Sequence, residues 1–211
     1  MTPTQPRRGL FIVFEGGDGA GKSTQQHLLG EWLAARGHEV VLTREPGGTV
    51  LGEVLRQALL HGGDVDARTE ALLFATDRAH HVHTVVRPAL ERGAMVVSDR
   101  YLDSSAAYQG AARDLGLEEV RDLSLWATGR LLPDLTVLLD LDPRVGAARR
   151  AEAPDRLERE SVEFHERVRA GFLHLAGREP GRYLVLDASR PPEEIHSDVV
   201  ARVTPLLRQS P

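Results

Sequence analysis

The eight residues Gly16-Gly17-Asp18-Gly19-Ala20-Gly21-Lys22-Ser23 limit what this chain can fold into more than any others. They satisfy G-x-x-x-x-G-K-[ST] and sit between an apolar run, Leu10 to Glu15, and a helical pattern that begins at Lys22. Glycines let such a segment curl so that several backbone N–H groups point inward, and the helix that follows adds the positive end of its dipole. Lys22 suits the β- and γ-phosphates of a nucleoside triphosphate, and the Ser23 hydroxyl suits Mg²⁺. A glycine-rich turn that merely ends a strand is the plainer alternative. The placement of lysine argues against it. Lys and Arg total 26, yet Lys22 is the only lysine, so whatever removed lysine elsewhere spared it here. Heat adaptation explains that bias poorly, because it enriches lysine.

The rest of the chain agrees with a strand-then-helix reading. Apolar runs at 39–43, 95–98, 135–141 and 183–186 predict four more strands after the first. Helical patterns are predicted at 22–36, 50–60, 66–92 with a kink at Pro88, 104–112, 118–128, 144–150, 157–176 and 192–207. Alternation of this kind implies a five-stranded parallel sheet covered by helices on both faces, a three-layer α/β fold. A length of 211 residues fits one domain, read here as 10–211 after a polar lead-in at 1–9 that lacks the apolar segment of a secretory signal.

Composition narrows the function. The net charge of −5 gives no general grip on nucleic acid or an anionic membrane, and no apolar run is long enough to span one, so a cytoplasmic protein is expected. There is no cysteine for a disulfide, thiolate metal site or nucleophile. There is no Asn either, so a switch GTPase could not have its usual N-K-x-D guanine reader. Of His80, His81 and His83, only His80 and His83 share a helical face, and no third ligand is evident for zinc.

Several segments predict a second phosphate site. Arg44 follows the second strand and Arg100 the third, and strand C-termini are where open α/β sheets bind ligands. Each guanidinium can grip two phosphate oxygens. Phe74 offers a stacking face, with Arg78 one helical turn later on the same side. Plainer roles stay open: Phe74 as core, Asp99 as a helix cap or Arg100 partner, Ser105 as a cap, Tyr108 and Gln109 as structural residues.

Together FEGGDGAGKST, TREPGGT, LLFATDR, DRYLDSSAAYQG and DRLERES, in this order and spacing, resemble thymidylate kinases from about Leu10 to Ala188. The resemblance implies a fold like that of P-loop nucleoside monophosphate kinases with a short lid at about 149–157, acting on MgATP and thymidylate (dTMP), and a homodimer formed through long helices such as 66–92. It implies that Gly16 to Thr24 hold ATP, with Arg149 over adenine and Ala188 beside it. Phe74 would stack on thymine, Arg78 would read a carbonyl, and Ser105 and Gln109 would complete the base edge. Tyr108 would crowd the sugar 2′ position, and Arg44, Arg100 and Arg56 would shape the acceptor phosphate site. Asp18 would meet the sugar 3′-OH, and Asp99 would stand near Mg²⁺ with Ser23. Ala20 leaves the phosphate loop without the arginine that one type of this family carries there, so the resemblance assigns catalysis to lid arginines: Arg149, Arg150 or Arg156.

Overall fold

The computed structural model describes residues 8–149 and 153–209. Its centre is β1 (Phe11–Gly16), buried along its whole length. With β2 (Val40–Arg44), β3 (Met95–Asp99), β4 (Leu135–Asp140) and β5 (Tyr183–Asp187) it forms one parallel sheet in the order β2-β3-β1-β4-β5. Parallel neighbours need crossovers, and helices supply them.

Alternation along β1 distributes the core. Ile12 and Phe14 face the layer of α1 (Lys22–Ala34) and α9 (Pro192–Gln209), where Leu29, Leu33, Val199 and Val203 are buried. Phe11 and Val13 face the opposite layer, with Val82, Val86, Leu90, Tyr101 and Leu125. A third cluster, including Leu59, Phe74, Tyr108, Phe164 and Phe172, joins α2 (Val50–His61), α3 (Ala67–His81) and α8 (Val162–Arg178).

The long helix expected over 66–92 is divided. Between α3 and α4 (Arg87–Glu91), residues Val82–Val86 widen into a π-helical turn, and the Arg87 amide bonds to Val82 O. Pro88 has no N–H and its ring crowds the preceding turn, so the disturbance falls before it. The helix expected at 104–112 is likewise α5 (Leu102–Ser105) followed by a π-helical stretch, Ala106–Ala112. α6 (Leu117–Ala127) and α7 (Pro143–Arg149) lie close to expectation. α8 starts at Val162 rather than at 157, because Asp155 caps a separate turn through the Leu157 and Glu158 amides and Ser161 Oγ accepts from Phe164 N to start the helix. Gly9 belongs to the folded body rather than to a loose lead-in: its amide donates to Leu90 O at 2.8 Å, and a Cβ there would meet Ala94 O. Residues 1–7 lie outside the described residues.

Leu29 has no exposed surface where α1 meets the sheet. Leu29→Ala is expected to lower unfolding stability by about 2–5 kcal/mol in a urea titration; a loss below about 1 kcal/mol would contradict this packing.

Candidate active site

The loops after β1, β2 and β3 converge at the C-terminal edge of the sheet and form two adjoining spaces. One is a groove of about 720 Å³ lined by Gly19, Gly21 to Thr24, Arg44, Asp99 and Arg149 among others. The other is a pocket of about 130 Å³ lined by Phe74, Arg78, Tyr101, Ser105, Tyr108 and Gln109 among others. Asp18, Glu45, Arg56, Arg100 and Glu158 border both.

The groove is the phosphate loop. Gly19 has φ +75°, and a Cβ on it would lie 2.3 Å from Gly146 O, so only glycine lets the loop pass α7. Lys22 Nζ donates to Gly16 O at 3.2 Å and Gly17 O at 2.8 Å, folding the ammonium back under the loop. Burial, with Arg100 nearby, lowers its pKa, while Asp99, Asp18 and Glu15 oppose the shift. Ser23 Oγ donates to Asp99 Oδ2 at 2.8 Å, which brings together the two residues assigned to Mg²⁺. Both supply the hard oxygen atoms that ion takes. Arg149 donates to Ala188 O at 2.9 Å, so the two residues expected at the adenine side meet.

Arg100 joins the spaces. It has φ +70°, uncommon for a side-chain-bearing residue. Its guanidinium pairs with Asp18 and also reaches Gly16 O, Ser104 Oγ and the Tyr108 hydroxyl. Tyr108 in turn donates to Asp18 Oδ2 at 3.1 Å. Burial raises the pKa of Asp18, but Arg100, Lys22 and the Tyr108 hydrogen bond outweigh it and hold the group at about 2.

Other expected residues hold different positions. Arg44 pairs with Glu53 at 2.5 Å and lines the phosphate groove rather than the pocket. Arg56 donates to Pro46 O at 3.0 Å. Phe74 serves both readings, buried in the third core cluster and lining the pocket. Arg78 is fully buried: Nε reaches Glu45 Oε2 at 2.8 Å, NH1 Ser124 Oγ, and NH2 both Tyr101 O and Ser105 Oγ. Arg156 does not line the groove. Its NH1 pairs with buried Glu70 at 2.7 Å and its Nε bonds Leu59 O, because a carboxylate at that depth needs countercharge. Arg150 lies outside the described residues. His81 is a buried strut, its Nδ1 on Glu45 Oε1 and its Nε2 on Thr43 Oγ1. Among the described residues no three or more His, Asp or Glu side chains are grouped so as to hold a metal ion by themselves.

The sequence reading missed several buried acids. Glu15 binds the Tyr101 and Ser104 amides, and burial, with Asp103, raises its pKa to about 7. Glu45 holds Arg78 and His81. Glu70 carries Gln109, Arg113 and Arg156; its one signal was its place one helical turn before Phe74, on the face that also bears Arg78.

A thymidylate kinase family model matches residues 14–199. The chain belongs to the thymidylate kinase family. It is 62% identical over 207 residues to a thymidylate kinase of Leifsonia xyli, covering 96% of this chain and 98% of that protein. It is 52% identical over 201 residues to one from Deinococcus radiodurans, covering 93% and 97%. The crystal structure of thymidylate kinase from Ehrlichia chaffeensis superimposes with a TM-score of 0.80 at 33% identity, over 93% of this chain and 99% of that one. The shared family architecture covers both spaces and their junction at Arg100.

Asp77 gives a pH test of the packing behind the β2 loop. It is buried, its Oδ2 has no hydrogen-bond partner, and burial together with Glu45 raises its pKa to about 6. The folded state therefore keeps a proton that the unfolded chain loses near pH 4, and stability falls as pH rises through the interval up to about 6. Asp77→Asn lacks this penalty. Its stability relative to the native chain should be about 1 kcal/mol more favourable at pH 8 than at pH 5 in urea titrations; an equal difference at both would contradict the assignment.

Proposed function

We propose that this chain transfers the terminal phosphoryl group of MgATP to dTMP, giving ADP and dTDP. The observation that carries this reading is the continuity of the phosphate-loop groove with an aromatic and amide-lined pocket through Asp18 and Arg100. Family membership supports the same substrates.

The acceptor needs no strong base, because a phosphate monoester oxygen is already ionised near neutral pH. The task is to hold two polyanions together and offset charge on the moving group. Lys22 and the loop amides take the donor phosphates, and Arg100 with Arg56 takes the acceptor phosphate. Phe74 packs on the base, while Tyr108, fixed on Asp18, narrows the space beside the sugar and favours deoxyribose. Ser23 and Asp99 would hold Mg²⁺, which offsets phosphate charge when bound. Arg149, lining the groove, is the favoured lid arginine among the described residues, since Ala20 supplies no charge from the loop.

The same reading extends to a cytoplasmic homodimer. Exposed Val54, Leu72 and Trp126, on neighbouring helices α2, α3 and α6, support pairing through that side. No helix among the described residues is long and apolar enough to cross a membrane. Purified protein with MgATP should form ADP rapidly with dTMP and little with AMP, CMP or shikimate. Equal turnover of these acceptors would defeat the assignment.

A further inference from the structure

Glu70 has no task in the reaction outlined above, yet it is fully buried directly behind the acceptor pocket. Its Oε1 accepts from Gln109 Nε2 at 2.8 Å. Arg113 reaches both carboxylate oxygens at 3.3 Å, and Arg156 NH1 reaches Oε2 at 2.7 Å. We propose that Glu70 is a specificity-determining positioning residue that fixes the orientation of the Gln109 amide and so selects a base carrying N–H, rather than a bare acceptor, at its ring nitrogen. This rests on the dTMP reading and deepens it.

The argument is one of hydrogen-bond polarity. The two ends of a glutamine amide are nearly equal in shape, so partners decide which end faces where. A carboxylate held between two guanidinium groups offers only acceptors. The Gln109 nitrogen must therefore face Glu70, and its carbonyl oxygen is turned away. Gln109 lines the acceptor pocket, and among the described residues no donor reaches its Oε1. Beside it, the Ser105 hydroxyl oxygen already accepts from Arg78 NH2 at 3.1 Å, which leaves the hydroxyl hydrogen to donate. The pocket edge thus presents an acceptor at Gln109 and a donor at Ser105. Thymine offers N–H at the ring nitrogen next to a carbonyl, which matches both. Cytosine offers a bare nitrogen next to an amine, which mismatches both. A turned amide would reverse the preference at Gln109, and only the bond to Glu70 prevents that turn.

Glu70→Gln removes the constraint, because an amide facing an amide is satisfied in either orientation. The test compares kcat/KM for dTMP and for dCMP in the native enzyme, in Glu70→Gln and in Arg113→Ala. Glu70→Gln should lower the dTMP-to-dCMP ratio by about tenfold or more. Arg113→Ala, which removes a countercharge but leaves the Glu70–Gln109 bond, should keep the native ratio. A role in stability alone would depress both substrates together and leave the ratio unchanged. Because Glu70→Gln strands two guanidinium groups, the charge-balanced variant Glu70→Gln/Arg113→Gln is measured beside it, with the same fall expected. Either variant folded and as selective as the native enzyme overturns the proposal. A native enzyme that does not prefer dTMP overturns instead the reading on which it rests.

Discussion

The contact between Asp18 and Arg100 is the constraint on which the site depends. Asp18 belongs to the phosphate loop after β1, and Arg100 to the first turn beyond β3, the adjacent strand. Their pairing fixes the distance between the place where a triphosphate lies and the place where an acceptor enters. Arg100 holds a left-handed backbone to reach it, a conformation that persists only when the surroundings determine it. They do: Gly16 O, Ser104 Oγ and the Tyr108 hydroxyl all converge on the guanidinium. The sheet makes this possible, because β1 and β3 run parallel in fixed register and deliver both loops to one edge.

Behind that junction the chain buries an unusual number of charged groups on a single helix. α3 carries Glu70, Asp77, Arg78 and His81, all buried. Each is tied to a partner on another element: Glu70 to Gln109 and Arg156, Arg78 and His81 to Glu45 on the β2 loop, and Asp77 through Oδ1 alone to the Gly47 amide on that loop. Such pairs contribute little net stability compared with apolar packing, but breaking one strands a charge. They therefore fix the walls of the pocket. The phosphate loop is made differently, from glycine backbone and close approach, as at Gly19 against Gly146.

Much of the fold was legible in the sequence because buried parallel strands leave continuous apolar runs, and all five appear where those runs lie. Helix divisions were less legible. Pro88 marked the disturbance, but nothing local told a kink from the π-helical turn at Val82–Val86. In the site, Lys22, Ser23, Asp99 and Arg149 line one groove and Arg149 bonds to Ala188 O, because strand ends and helix starts at one edge of the sheet position them. Arg156 does not, because its destination depends on Glu70, more than eighty residues earlier in the chain, and nothing local to Arg156 points to that partner. Buried polar partners of this kind follow from tertiary packing and have no local pattern to betray them.

A double-mutant cycle tests the central claim most directly. kcat/KM for dTMP would be measured for the native chain, Asp18→Asn, Arg100→Gln and the double variant. If the ion pair acts as one joint between the two spaces, the double variant loses far less than the sum of the single losses, with a coupling above about 1.5 kcal/mol. Additive losses would mean that Asp18 and Arg100 act independently, and would contradict the account.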